Sequence, residues 1–341
     1  MSLFRPRLLA GLALTATAAA AQAQSVNLYG LVDVGVASLE SADTGFQKVA
    51  RVEPGMMTTS FWGLKGEDDL GGGVKAVFKA EAFFRADNGR SGRFDGDTFF
   101  ARDNYLGLSS DALGRVTIGR NTTGLFISVL AFNPFGDSFV WSPSIRHYFS
   151  GSEGKTRGDT GWSNSISYVA PSISGATFNL MGSLGEGTTD KNLGANVLYF
   201  RDALGFTAAY QTVEPVAFGG RKQKTWNLGA TYDFKLVKLS AQYGEIKDDP
   251  SGAKDKISQI GAWVPAGPGN VLVSFGEDRT ELNGNTKLQT ASLGYNYLVS
   301  KRTDITAAVM NEKQEAGRSA FATYAAEQKG TSYGVNLRTR F

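Results

Sequence analysis

The last ten residues of the chain, 332–341, alternate between a polar side and an apolar or aromatic side. Serine, glycine, asparagine and arginine alternate with the residues of the apolar side, which are Tyr333, Val335, Leu337, Thr339 and Phe341. Successive side chains of an extended strand point to opposite faces. An apolar face and a charged face suit the wall of a water-filled membrane barrel, with the terminal phenylalanine at the membrane rim. A soluble β-protein also has alternating strands, so the rest of the chain must decide.

The N-terminal segment, residues 1–23, has the pattern of a secretory signal peptide. Two arginines precede the apolar run Leu8–Ala21, which ends in the small-x-small pattern Ala21-Gln22-Ala23. Such a short apolar core followed by this pattern favours cleavage over a membrane anchor. We therefore expect the exported chain to consist of residues 24–341, which would form one barrel domain.

Charge and cysteine content exclude two classes of protein. The chain has 35 basic and 32 acidic residues and no cysteine, which gives little electrostatic reason to bind nucleic acid and excludes a disulfide scaffold. The longest uncharged stretch after the leader, Thr160–Gly185, contains Pro171 and many polar residues, so no helix is expected to cross a membrane there. Because only helices and closed barrels satisfy their backbone hydrogen bonds in lipid, a membrane protein with this sequence must be a barrel.

Alternating segments recur along the chain and predict an all-β fold, an antiparallel transmembrane β-barrel of about sixteen strands. Short turns alternate with longer polar segments, as in outer-membrane barrels. An even number brings both termini to one side, and this number of strands can enclose a water-filled lumen. The expected starts lie near Asn27, Ser60, Val74, Thr98, Arg115, Trp162, Ala176, Asn192, Phe206, Lys224, Val237, Lys256, Asn270, Lys287, Thr303 and Gly330.

The connection at about 121–161 shows no clean alternation and is the longest loop, here called loop 3. It is rich in apolar residues, among them Leu125, Phe126, Val129, Phe132, Phe135, Phe139 and Trp141. Long loops without regular structure are usually functional, and an apolar one needs a surface to cover. We predict that loop 3 folds into the barrel, packs on the inner wall and narrows the pore. A lid packed on the outside of the barrel mouth is the alternative.

Five segments resemble the Gram-negative general porins, most closely the β-proteobacterial type. They are Val26–Asp33, Trp62–Gly73, Gly114–Arg120, Asn133–Asp137 and Tyr297–Thr303. The resemblance implies a homotrimer of sixteen-stranded barrels in the outer membrane of a Gram-negative bacterium, each barrel with a pore for small solutes and ions and without a cofactor. Outer-membrane lipid, lipopolysaccharide and the outer-membrane assembly machinery are the other implied partners, and the machinery would recognise the C-terminal strand with Tyr333, Val335, Leu337 and Phe341.

The resemblance also implies an eyelet in which basic wall residues face acidic residues of loop 3, an arrangement that selects solutes by charge. Arg120 matches the family's wall arginine after the fifth strand, and Asp137 is the acid at the loop tip. Further candidates for the pore lining, all on inward faces by strand parity, are Arg102, Lys65, Lys79, Glu81, Tyr29 and Asp33.

Two positions depart from the family pattern. Phe61 stands where an inward arginine is common, and Gly161 and Trp162 stand near the place of another. Fewer fixed positive charges would weaken anion preference, and aromatic rings would offer a surface to apolar or aromatic solutes. The sequence therefore leaves the charge selectivity of the pore open.

Other functions were weighed against a general diffusion channel. A substrate-specific channel for small organic solutes would use Phe61 with Trp141 or Trp162, and a barrel-anchored adhesin or receptor would use the long loops. No enzyme is expected, because no nucleophile motif surrounds the single histidine, His147. A lone histidine also cannot supply the paired ligands of most zinc sites. We interpret acidic clusters such as Glu67-Asp68-Asp69 as solvated turn residues and predict no metal site.

Overall fold

The computed structural model describes residues 26–150, 155–186, 191–214, 222–249, 251–282, 285–318 and 323–341. The predicted signal peptide, residues 1–23, lies outside the described residues. No helix in the described ranges is long and apolar enough to cross a membrane.

In the described part of the chain, one sheet contains seventeen strand segments. Two of these follow one another along the same barrel strand, so the barrel has sixteen strands, and the predicted fold is confirmed. The strands are β1 (Asn27–Leu39), β2 (Val49–Pro54 and, after a break, Phe61–Gly71), β3 (Val74–Phe83), β4 (Asn104–Ser110), β5 (Gly114–Thr122), β6 (Gly161–Val169), β7 (Ala176–Leu184), β8 (Lys191–Arg201), β9 (Leu204–Glu214), β10 (Gln223–Asp233), β11 (Lys238–Asp248), β12 (Ala253–Ala266), β13 (Gly269–Glu281), β14 (Thr286–Leu298), β15 (Thr303–Gln314) and β16 (Gln328–Arg340).

Pairing between the first and the last strand closes the barrel. The two strands run antiparallel from the pair Leu31–Arg340 to the pair Ser38–Tyr333. The main chain of the C-terminal residue extends the contact by two hydrogen bonds to Gly30, at 3.1 and 3.2 Å. The start of β1 and the end of β16 therefore lie at the end of the barrel that carries the short turns, the turn end. The longer loops lie at the opposite end, the loop end.

Apolar side chains occupy the outer face of the barrel and polar ones the inner face. On β16, Tyr333, Val335 and Leu337 are about half exposed, whereas Asn336 is 1% exposed on the opposite face. The Asn336 amide donates a hydrogen bond to Asp33 of β1 at 2.7 Å, so the inner polar side chains bond to one another across strands. The structure confirms the alternation predicted from the sequence.

Two strand starts differ from the expected ones by more than three residues. Residues 49–54 were expected in a loop, but they pair with the second half of β1. Gly55, which follows them, adopts a left-handed conformation (φ 67°) and breaks β2 in two. The strand expected from Thr98 begins at Asn104 instead. Just before it, Asp103 accepts hydrogen bonds from the main chain and side chain of Thr122, at 2.9 and 2.7 Å, which fixes the point where the strand starts.

A glycine on β1 tests how tightly the closing strands are packed. A Cβ atom at Gly35 would lie 2.1 Å from the carbonyl oxygen of Val335, whereas at Gly182 on β7 the nearest atom would be 3.5 Å away. We expect Gly35→Val to destabilise the barrel by roughly 1–3 kcal/mol, the usual cost of overpacking, and Gly182→Val to have a much smaller effect. Thermal unfolding in detergent, followed by the heat-dependent gel mobility of the barrel, measures both. Equal midpoints for the two variants would contradict the tight closure.

Candidate functional site

Loop 3 contains two short helices that pack against the inner wall of the barrel. Helix α1 (Gly124–Ala131) contacts β8, β9 and β10, and helix α2 (Pro143–Phe149) contacts β12, β13 and β14. Each begins at a side-chain cap, in which Thr123 accepts from the third residue of α1 and Ser142 from that of α2. Packing on the wall covers the apolar residues of the loop, and Trp141, Ile145 and Tyr148 are fully buried.

Polar side chains of the inner wall fix α1 in place. Thr207 donates to Ser128 at 2.8 Å, and Asn196 donates to the same hydroxyl at 3.1 Å. Gln242 donates to the main-chain carbonyl of Val129 at 3.1 Å. Because a buried polar group without a partner is costly, these bonds specify where on the wall the helix sits.

Arg146 on α2 forms the strongest connection between loop 3 and the wall. Its buried guanidinium bonds to Glu312 of β15 at 3.1 Å, to Asp43 of the first loop at 2.8 Å and to the carbonyl of Phe139 at 2.9 Å. Burial acts to lower the pKa of Arg146, but the two carboxylates outweigh it and hold this pKa above its ordinary value. Glu312 also accepts from the main chain of Ala42 at 2.8 Å. One ion-pair cluster thus joins the first loop, loop 3 and β15.

The single histidine has a structural role in this packing. His147 is 1% exposed, and its Nε2 lies 2.9 Å from the hydroxyl of Thr290. Burial and the positive charges of Lys155 and Arg146 hold the pKa of His147 well below its ordinary value. The ring is therefore neutral near pH 7. In the described residues, no group of three or more histidine, aspartate or glutamate side chains could hold a metal ion.

Three cavities follow one another between loop 3 and the barrel wall, the upper two along β2 to β6 and the lower one along β3 to β8. The upper one, toward the loop end, has a volume of about 600 Å³, the middle one about 30 Å³ and the lower one about 220 Å³. Upper and middle cavities share Thr59, Arg93, Phe139 and Thr160, and middle and lower cavities share Thr122. The middle cavity is thus the smallest of the three and shares lining residues with both of the others.

Charged residues of both signs line the middle cavity, namely Arg93, Arg102 and Asp137. The predicted loop-tip acid, Asp137, accepts a hydrogen bond from the hydroxyl of Thr58 at 2.8 Å, and that hydroxyl accepts one from Arg338 at 2.9 Å. The carboxylate of Asp137 is therefore oriented by the wall rather than by an ion pair of its own.

Five of the predicted pore residues form one group on the wall around Glu81. Glu81 accepts from Arg102 at 2.9 Å and from the hydroxyl of Tyr29 at 2.5 Å. The guanidinium of Arg102 lies 4.1 Å from the ring centre of Phe61, a favourable cation–π distance. The ammonium of Lys79 lies 3.9 Å from Glu81. The Phe61 ring therefore supports an arginine from another segment.

Lys65 and Asp33 lie at the edges of this group. Lys65 lies over the ring of Tyr29, 4.7 Å from its centre. Asp33 is fully buried and accepts from the main chain of Met57 and Thr58, at 2.8 and 2.9 Å. The Asp33 carboxylate thus holds the break in β2 in shape.

The predicted wall arginine, Arg120, is held by three hydrogen-bond partners among the described residues. It donates to the carbonyl of Ala101 at 2.6 Å, to Ser163 at 3.0 Å and to Asp159 at 2.7 Å. Asp159 also pairs with Arg93, at 2.7 Å. Sequence reasoning missed both Arg93 and Asp159, because they lie in loops, where strand parity gives no signal.

The aromatic surface expected for a channel specific for organic solutes is largely covered. Trp141 and Trp162 are 0% and 2% exposed, and Arg102 lies over Phe61. A solute in the lumen would therefore not meet the two tryptophan rings. The phenylalanine rings that line the upper cavity are instead Phe84, Phe94, Phe139 and Phe149.

Comparison with known proteins identifies the family of this chain. Residues 10–317 match the Gram-negative porin family. The chain belongs to this family. An outer membrane porin protein of Bordetella pertussis is 28% identical over 98% of this chain and 99% of its own length. Outer membrane porin protein 32 of Delftia acidovorans is 30% identical over 86% of both chains.

A solved structure shows the same architecture. The anion-selective porin from Comamonas acidovorans is 26% identical, covers 93% of this chain and 100% of its own, and superposes with a TM-score of 0.77. Family and fold together make this protein a porin of the Gram-negative outer membrane, a channel for small solutes.

A substitution that removes the charge of Arg146 is expected to make loop 3 more mobile. Removing one partner of a buried ion pair leaves the other charge uncompensated and costs about 3–5 kcal/mol, so we expect Arg146→Met to loosen α2 from β15. Single-channel recordings of this porin variant should show increased open-channel current noise. Thermal unfolding in detergent should show a lower midpoint than that of the wild type. Lys313→Met, which removes an exposed pair on the same strand, is the control and should change neither. An unchanged noise spectrum for Arg146→Met would exclude the cluster as the anchor of loop 3.

Proposed function

We propose that loop 3 forms the constriction of this porin and that the middle cavity is its narrowest part. The observation that carries the proposal is that three successive cavities between loop 3 and the β2–β8 wall share lining residues from one to the next. Small hydrophilic solutes and ions would diffuse along this route. The helices α1 and α2 pack on the β8–β10 and β12–β14 walls.

The charge arrangement supports a modest anion preference. In two ion pairs along the middle and lower cavities, the cation is the more accessible partner: Arg102 is 31% exposed against 2% for Glu81, and Lys79 is 26% exposed against 16% for Asp103. At the upper cavity the order is reversed, since Asp159 is 36% exposed against 18% for Arg93 and 13% for Arg120. An anion at the middle or lower cavity would therefore meet the positive partner of the pair first. Charge at a narrow passage selects ions, and the similar porin from Comamonas acidovorans is described as anion-selective.

The test is a single-channel recording of the purified protein in a planar bilayer with a KCl gradient. Stepwise conductance with a reversal potential on the anion side is expected. Absence of steps would contradict the channel, and steps with cation preference would contradict the proposed charge arrangement alone.

A substitution in the wall tests the role of Arg102 in this preference. Arg102→Gln removes an accessible positive charge at the middle cavity and should move the reversal potential toward cation selectivity, with the chloride-to-potassium permeability ratio falling about twofold or more. Arg201→Gln, which removes an arginine that is 62% exposed at the turn end, serves as the control. Equal reversal potentials for both variants would remove Arg102 from the charge filter.

A second substitution tests which loop residue limits the pore width. Phe139 lines both the upper and the middle cavity, so Phe139→Ala should raise single-channel conductance. Phe135, on the same loop, is fully buried in a cluster with Met56, Trp141 and Leu272. Phe135→Ala is therefore expected to lower stability, by about 3–5 kcal/mol, without raising conductance. A conductance equal to that of the wild type in Phe139→Ala would place the constriction elsewhere.

We further propose that the exported protein begins after residue 23 and assembles as a homotrimer. An apolar groove of about 990 Å³ on the outside of the barrel, lined by β1, β2 and β13–β16, supports an apolar neighbour such as lipid or a second copy. The exposed Phe341 ring at the turn end would be available to the assembly machinery and to outer-membrane lipid, with lipopolysaccharide at the loop end. N-terminal sequencing and native mass spectrometry of the exported protein test the cleavage site and the trimer.

A further inference from the structure

Asp159, the residue that ends loop 3 just before Thr160 and β6, lies between two arginines. Its Oδ1 is 2.7 Å from one terminal nitrogen of Arg93, and its Oδ2 is 2.9 Å from the other. The same Oδ2 accepts from Arg120 at 2.7 Å. One carboxylate therefore bonds to two guanidinium groups from separate segments, since Arg93 lies in the loop between β3 and β4 and Arg120 near the end of strand β5.

The backbone holds this carboxylate in place. Asp159 adopts a left-handed conformation, with φ 67°, and its side chain accepts from the main chain of Thr160 at 2.7 Å. Aspartate tolerates this conformation better than most residues because its short side chain can bond locally. Burial acts to raise the pKa of Asp159, but its hydrogen bonds and charge contacts with Arg93 and Arg120 lower this pKa below its ordinary value. The carboxylate is therefore ionised near neutral pH.

The two arginines depend on Asp159 to different degrees. Arg93 has a second acidic partner, because Asp97 accepts from it at 2.9 Å. The other two partners of Arg120 are the neutral carbonyl of Ala101 and the neutral hydroxyl of Ser163. The group of Arg93, Arg120, Asp97 and Asp159 has no net charge. Without Asp159 it would carry one positive charge, beside the passage from the upper to the middle cavity.

We propose that Asp159 is a specificity-determining residue of the channel, because it neutralises Arg120 and limits the anion preference of the constriction. This inference rests on the proposed route between loop 3 and the β2–β8 wall. Asp159 and Arg93 line the upper cavity, and Arg93 also lines the middle one. A solute entering from the loop end therefore passes this neutral group before it reaches Arg102 and Asp137.

The variant Asp159→Asn tests the proposal in planar bilayers with a KCl gradient. We expect the chloride-to-potassium permeability ratio to rise about two- to threefold, because a unit positive charge is uncovered beside a narrow passage. Glu327→Gln is the matched control, since Glu327 also joins two cations, Lys313 and Lys329, at 2.8 and 2.9 Å. Glu327 lies in the last loop, and its removal should leave the ratio unchanged.

Two further variants separate charge from structure. Asp159→Glu keeps the charge and should keep the wild-type ratio, whereas the double variant Asp159→Asn with Arg120→Gln should return the ratio toward the wild-type value. A permeability ratio in Asp159→Asn equal to that of Glu327→Gln, in folded channels of normal heat-dependent mobility, overturns the proposal. Wild-type protein without conductance steps would instead overturn the channel itself, so the two failures are distinguishable.

Discussion

Closure of the sheet is the constraint on which the other features of this porin depend. In lipid, each backbone amide needs a partner within the protein, so the first and last strands must bond to each other, as β1 and β16 do. A closed barrel separates an outer surface for lipid from an inner surface for water. Because the two surfaces differ, apolar outward and polar inward side chains alternate along a strand, as Val335 outside and Asn336 inside show.

Because the inner surface is polar, the placement of loop 3 is decided by specific bonds rather than by apolar packing alone. The apolar residues of α1 and α2 pack largely on one another, while Ser128 and His147 bond to hydroxyl groups of the wall. The ion-pair cluster of Arg146 adds a connection to the first loop and to β15. On its other side, the inserted loop lines the cavities between it and the wall.

Strand starts predicted from the sequence were right where the alternating pattern itself ends at a short turn. They were wrong where a contact between residues distant in the sequence sets the start of the strand. The start of β3 at Val74 and that of β7 at Ala176 were predicted to the residue, because a short turn with glycine ends the alternation on both sides. The predicted start of β4 was wrong, because Asp103 bonds to Thr122 on the next strand. No local sequence pattern indicates this contact. The contact of Phe61 with Arg102 likewise joins residues that are distant in the sequence, and no local pattern indicates it.

The sequence by itself determined the number of strands, their faces and the family, since period-two alternation and family motifs are local properties of the chain. It also singled out loop 3 and the wall residues around Glu81. Tertiary structure alone decided which charges meet. Arg93, Arg120 and Asp159 come from three loops or strand ends far apart in sequence, and ion pairing at a distance of a few ångströms depends on how the closed barrel brings those ends together.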